Sequence, residues 1–222
     1  MDTIERTEIP ITSPTRLLTP AVTVILVLML IGFVLAVYAP NFTLNNLSLV
    51  ADYVIQGKVW EILTYTLING NPFGLIFNGL VVLFIGGMIE REWGTKSFVI
   101  LWIVTGVACA LIWMIISLFA GKLWPGTGSD ACVYGIIAAF GVLYRGRRMW
   151  FYFFTIEAQV IAIIFIVIGL VISIVQPLNL IWVSGALVAY IYVKLRLRMT
   201  LQRTTKAFQA KRDVSDGFVD ID

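Results

Sequence analysis

The stretch Trp124-Pro-Gly-Thr-Gly-Ser-Asp130, running on into Ala131-Cys-Val-Tyr-Gly-Ile-Ile-Ala-Ala-Phe-Gly-Val-Leu-Tyr144, decides how this chain is read. Only 14 residues separate Asp130 from Arg145. As a helix they cover about 21 Å, short of the ~30 Å hydrocarbon thickness of a bilayer. A glycine-rich loop leads into that short helix. Non-helical backbone at membrane depth is tolerated only where protein buries it or where it lines a water-filled cavity. A polar pocket is therefore expected at the start of this helix, with Asp130 in it.

The rest of the chain places that stretch in a membrane. Its 222 residues are 59% hydrophobic and 13% charged, against roughly 25% charged in a soluble domain, and the mean hydropathy is +0.93. A net charge of +3 is too small to suggest a nucleic-acid partner. The chain has no histidine, which excludes imidazole-dependent catalysis and histidine-ligated metal sites. No metal and no cofactor is expected. Cys109 and Cys132 lie in apolar runs and form neither a CxxC motif nor a disulfide framework. They read as small buried hydrophobes.

Six runs are long or apolar enough to be spans: Pro20–Ala39, Phe73–Ile89, Ser97–Ala120, Ala131–Tyr144, Trp150–Val175 and Leu178–Val193. The first is too long for a signal-peptide core, and Asp2, Glu5 and Glu8 precede it, so it reads as a retained span. Basic residues alternate with the spans. Arg6 and Arg16 precede the first, and Arg91 and Lys96 follow the second. Arg145, Arg147 and Arg148 follow the fourth, and Lys194, Arg196, Arg198, Arg203, Lys206, Lys211 and Arg212 follow the sixth. Only Lys58 and Lys122 of the 16 lie on the other face. The positive-inside rule then puts both termini in the cytoplasm. The expected organisation is a cytoplasmic segment over 1–19, a membrane domain over 20–193, and a basic-then-acidic cytoplasmic tail over 194–222. A bacterial inner or plasma membrane is the expected setting.

The external segment from Pro40 to Pro72 is long and apolar. Leu47, Val50 and Val54, then Trp60, Leu63 and Leu67, recur at helical spacing, which suits a segment lying in the membrane interface. Asn41-Phe-Thr and Asn46-Leu-Ser match the glycosylation acceptor pattern, a pattern that is common by chance.

Six spans, a long interfacial first loop and a short fourth helix behind a glycine-rich loop resemble the rhomboid family of intramembrane serine proteases. The resemblance covers roughly Pro20 to Tyr192. Glu90-Arg91-Glu92-Trp93-Gly94 is similar to the family's E-R-x-W-G after the second span. Asn78 matches the asparagine of H-x-x-x-N, which in the family helps bind the oxyanion. Gly128-Ser-Asp-Ala-Cys-Val-Tyr134-Gly135 aligns with G-x-S-G-x-x-[FY]-[GA]. Trp60-Glu61 partly resembles the first-loop Trp-Arg pair, with the arginine lost. Gly185 and Ala189 resemble the small-residue packing stripe of the sixth helix.

On that register the nucleophile position holds Asp130, fixed by Tyr134 and Gly135, and Ser129 is one residue early. The sixth-helix histidine falls near Trp182 and the second-helix histidine at Gly74. A serine hydroxyl needs a neighbouring base to become a nucleophile. The chain therefore resembles a catalytically inactive, rhomboid-like pseudoprotease.

Each singled-out residue has a plainer reading beside the functional one. Asp130 reads as a helix N-cap or as an intramembrane ionisable group with a role. A third reading, aspartyl chemistry, comes from Gly126-x-Gly128-x-Asp130 being similar to the intramembrane aspartyl G-x-G-D. That spacing is off by one, and the only other acid inside a run, Glu157, lies near the opposite face. Glu157 itself reads as a carboxylate reaching the interface or Arg145, Arg147 or Arg148. Asn78 either donates into the pocket or bonds between helices. Trp182 reads as core packing that fills the space a protease keeps for substrate. Gly185 and Ala189 read as close helix packing. The basic tail reads as a topology-setting face that can also meet anionic lipid.

The expected fold is an all-α, six-helix rhomboid-like bundle with a short, recessed fourth helix. The expected function is non-proteolytic: binding a transmembrane client, with Asn78, Ser129 and Asp130 as binding residues, or serving as a subunit of a membrane complex. The inactive rhomboids and derlins are the members of the resemblance that imply client handling. The alternatives are a rhomboid serine endopeptidase and, more weakly, a small transporter. The expected partners are a transmembrane helix and membrane lipid.

Overall fold

The computed structural model describes residues 18–121, 124–151, 154–175 and 179–216. The charges ahead of the first span, Lys122, the Gln176-Pro177 break and the last six residues of the acidic tail end lie outside the described residues. The first helix, α1 (Pro20–Tyr38), starts at Pro20, whose missing N–H costs nothing at the first helical position. Thr19 makes no side-chain bond to the helix end. The buried N–H groups of Ala21 and Val22, which have no partner within the helix, donate instead to a distant carboxylate, that of Glu90, at 2.9 Å each.

The segment after α1 is helical, as its periodicity predicts. It forms α2 (Pro40–Asn46), α3 (Ala51–Ile55), α4 (Glu61–Thr64) and a 3-10 turn over Tyr65–Leu67. Leu49, Val54 and Tyr65 turn inward against Trp113, while Phe42, Ile55, Val59, Trp60 and Leu63 stay exposed. Both sequon hydroxyls are buried and bonded to backbone, Thr43 to Ala39 and Ser48 to Thr43.

The second span starts at Pro72. Asn71 caps it by accepting from the Phe73 N–H at 2.9 Å. It runs as α5 (Pro72–Val81), a π-helical segment over Val82–Gly86, and α6 (Gly87–Trp93). Gly94, with φ +82°, makes the sharp turn into α7 (Thr95–Ala120). The 14-residue fourth helix is α8 (Asp130–Leu143). Its apolar content decides its place: α8 is buried along most of its length and packs against α7, α9 (Ala158–Val175) and α10 (Asn179–Asp216). Two glycines make these approaches possible. A Cβ on Gly135 would press on Thr105 of α7, and one on Gly185 would strike the backbone carbonyl of Ala131. Ala189, one turn on from Gly185, is fully buried.

Among the described residues three helices are long and apolar enough to cross a membrane: Pro20–Tyr38, Pro72–Trp93 and Thr95–Ala120. Asp130–Leu143 and Ala158–Ile174 are shorter apolar helices. Two expectations are corrected. The run Trp150–Val175 is not one helix. Its first part forms a short hairpin, β1 (Arg148–Phe151) against antiparallel β2 (Phe154–Glu157), within an otherwise helical fold. Aromatic and β-branched residues in that stretch favour extended backbone. The helix begun near Leu178 does not end at Val193 but continues to Asp216, because no proline or glycine interrupts residues 186–216.

Candidate functional site

Local chain geometry brings the site together from three segments. In Asn69-Gly-Asn-Pro72 the chain turns from the first loop into α5, leaving Asn69 buried just before the helix. Asn78 lies four positions beyond Gly74, which puts both on one face of α5, a turn apart. The glycine-rich loop before α8 is pinned from two sides. Leu49 and Gly126 exchange both backbone hydrogen bonds at 2.8 Å, and the Gly128 N–H donates to the Tyr65 carbonyl at 3.1 Å. Gly128 has φ +125°, a conformation that a side chain would strain. That turn delivers Ser129 and Asp130 to the head of α8.

There, four polar side chains converge. The Asn78 amide nitrogen donates to Ser129 Oγ at 2.9 Å, to Asp130 Oδ1 at 3.1 Å and, at the long end, to Asn69 Oδ1 at 3.3 Å. The Ser129 hydroxyl donates to Asn69 Oδ1 at 3.1 Å. Ser129 is fully buried, Asn78 and Asn69 nearly so, and Asp130 is half-buried. Two buried amide atoms have no partner: Asn78 Oδ1 and Asn69 Nδ2. Beside the cluster lies a pocket of about 210 Å³. Asn78, Asp130, Tyr134 and Trp182 line it, together with Phe77, Val133, Gly169 and Ile172.

Asn78, Ser129 and Asp130 thus meet, as the sequence predicts. Trp182 lines the pocket, but space remains beside its indole. Gly74 sits at the first turn of α5 and does not line the pocket. The capping role expected for Asp130 is corrected: Ser129 holds the cap position, without a side-chain bond to the helix end, and Asp130 is the first helical residue. A carboxylate there still suits the positive helix end. Glu157 lies on the hairpin, where register sets it opposite Arg148. It is separated from Asp130 by the length of α8, roughly 20 Å, so the two acids cannot share a proton as an aspartyl pair must. Among the described residues no group of three or more Cys, Asp or Glu side chains converges where a metal ion could sit.

The Glu90–Gly94 motif lies elsewhere and ties helices together. Besides the Ala21 and Val22 N–H groups, Glu90 accepts from the hydroxyls of Thr19 and of Thr95, the latter at 2.8 Å. The Arg196 guanidinium stacks over the Trp93 ring at 4.6 Å and donates to Ser97 Oγ. Asn69 is the residue that sequence reasoning missed. Its only signal is a place in a turn-forming Asn-Gly-Asn-Pro stretch, which any loop could show.

A family model described as "Eukaryotic integral membrane protein (DUF1751)" matches residues 20–219. "Rhomboid protease GluP" of Bacillus subtilis (strain 168) is 26% identical over 116 residues, a match that covers 52% of this chain and 22% of that protein. The family description is eukaryotic, so the expected bacterial membrane loses its support, while the integral-membrane character stands.

Proposed function

The chain belongs to the DUF1751 family of eukaryotic integral membrane proteins and is rhomboid-like; from that premise we propose that it is a non-proteolytic membrane protein that holds a transmembrane helix of a client or complex subunit. The observation that carries this is the head of α8. Where a rhomboid protease has its serine, this chain has Asp130, tied to the Asn78 amide. The neighbouring Ser129 gives its hydroxyl proton to an amide oxygen, which is no base, and the chain has no imidazole to replace it. In this reading six helices span the bilayer (α1, α5 with α6, α7, α8, α9 and α10), both termini are cytoplasmic, and α2 to α4 lie in the opposite interface.

A lateral route to the site supports client holding. A second, apolar crevice of about 330 Å³ lies between α5, α8 and α9, lined by Phe77, Tyr134, Ile137, Phe165, Ile168 and Ile172. It shares Phe77, Tyr134 and Ile172 with the polar pocket. A helix with a polar residue or a kink near its outer end would rest there with its apolar side on lipid-like walls. Its unpaired groups would meet Asn78 or Asp130 instead of hydrocarbon. Photocrosslinkers placed along α5 and α9 should capture a partner helix, and capture confined to α1, α7 or the tail would sink lateral holding. The rhomboid relative, named a protease, favours serine endopeptidase activity as the second reading. Purified protein should leave fluorophosphonate probes unreacted and cleave no transmembrane substrate. Cleavage abolished by Ser129→Ala would establish the enzyme reading instead.

A further inference from the structure

The polar pocket has an uneven chemistry. The Asn78 amide nitrogen faces three acceptors, Ser129 Oγ, Asp130 Oδ1 and Asn69 Oδ1. That fixes which way the amide points, because a flip would set its oxygen against the Asp130 carboxylate. Asn78 Oδ1 is consequently left without a donor, on a side chain 1% exposed that lines the pocket. A buried acceptor left unmade costs about 1–3 kcal/mol. Beside it stands the Asp130 carboxylate, with no lysine or arginine paired to it among the described residues. The helix dipole offsets at most about half a unit of its charge. The remaining walls are apolar or aromatic, including Phe77, Tyr134 and Trp182, and aromatic faces attract cations. Two acceptors, a residual negative charge and aromatic walls are complementary to a cationic hydrogen-bond donor on a long apolar stem.

We propose that the pocket takes the ammonium group of a lysine in the outer part of a client transmembrane helix, with Asp130 and Asn78 Oδ1 as its acceptors. The proposal rests on the lateral-holding reading and names what that site selects. A lysine stem of four methylenes lies along the apolar crevice shared by Phe77, Tyr134 and Ile172 while its head reaches Asp130. An intramembrane lysine is expensive alone, so pairing gives such a helix a reason to stay. An acidic client residue in the same place would face the Asp130 carboxylate and the bare amide oxygen, and would be rejected.

The test uses the full-length protein in lipid vesicles with a photocrosslinker at Ile76 on α5, outside the pocket lining. The probes are synthetic transmembrane peptides of about 22 Leu and Ala residues carrying one Lys, norleucine or Glu a turn inside the outer end. The Lys peptide should bind about tenfold more tightly than the norleucine peptide, and the Glu peptide more weakly than either. The isosteric Asp130→Asn should erase the Lys preference, and Asp130→Lys should transfer it to the Glu peptide. Equal capture of all three peptides by the wild-type protein would leave lateral holding intact and overturn the lysine proposal. Capture of none would overturn both. The wild-type series decides the matter even if an Asp130 variant fails to fold.

Discussion

Glu90 shows how one side chain can hold two helices. Its carboxylate accepts from the first two free N–H groups of α1 and from Thr95 at the head of α7. It supplies the cap that Thr19 does not, and it does so while almost fully buried. Replacing it by alanine leaves the buried N–H groups of Ala21 and Val22 unpaired, so Glu90→Ala should destabilise the protein by at least about 2 kcal/mol. Thermal unfolding in mild detergent measures this, and an unchanged melting temperature would refute it. Glu61, in the loop outside the spans, couples stability to pH. Burial raises its carboxyl above the usual range, against the opposing effects of the Val50 N–H bond and of Lys58. Folding therefore favours the protonated form. The stability it contributes is full below the unfolded value near about 4.3 and is lost as pH rises through the higher folded value. Melting temperatures taken from pH 4 to pH 8 should decline more with rising pH in wild type than in Glu61→Gln, and parallel profiles would mean the carboxyl is solvated. Ser129 and Asp130 are legible as a site because they fall at a helix start beside a glycine-rich loop, and Asn78 because it matches the asparagine of the H-x-x-x-N motif that the chain resembles. Asn69 is not, because only the tertiary contact between the first loop and α8 gives it a role.

At the scale of elements, α8 is the most legible because charged residues bracket it: the apolar run stops at Asp130 and Arg145, and so does the helix to within two residues. The hairpin was hidden for the converse reason. Arg148-Met-Trp-Phe-Tyr-Phe-Phe-Thr-Ile-Glu157 is apolar enough to read as the start of a span, although its aromatic and β-branched content is that of a strand. Hydropathy counts apolar residues and does not see backbone preference. The end of α10 was misplaced because hydropathy falls at Lys194 while helix propensity does not. The packing of α10 on α8 rests on Gly185, where a methyl group would meet the Ala131 carbonyl. Gly185→Ala should cost about 1–3 kcal/mol and, by moving Ala131, disturb the adjoining Asp130. Gly70→Ala, at a site with nothing near the added carbon and no positive φ, is the matched control. Equal stabilities for the two variants would mean that α10 and α8 can separate freely.

For the whole molecule the governing fact is unequal helix length. At 1.5 Å per residue α7 is about 39 Å long, α8 about 21 Å and α10 about 57 Å. A bilayer of ~30 Å cannot match all three. In the proposed arrangement the short α8 would recess its head and favour thin lipid around it, at fractions of a kcal/mol per Å. The long α10 must carry its second half beyond the hydrocarbon. That half bears Lys194 through Arg212, seven of the chain's 16 basic residues. Charged side chains cross hydrocarbon at high cost, and cytoplasmic faces gather lysine and arginine, so the proposed arrangement puts this end on the cytoplasmic side. In the proposed six-span arrangement the first loop, with Lys58 as its single basic residue, then lies opposite, because five spans separate it from the end of α10. Cysteine labelling separates the sides cleanly because the native Cys109 and Cys132 are both buried. In sealed vesicles of known orientation, Gln209→Cys should react with a membrane-impermeant maleimide only from the cytoplasmic face. Gln56→Cys, exposed at the end of α3, should react only from the opposite one. Reaction of both positions from the same face would require an odd number of crossings between them to be wrong, and with it the six-span arrangement. Reaction of Gln209→Cys from the side opposite the cytoplasm would invert the whole assignment, because every other basic cluster alternates in step with this one.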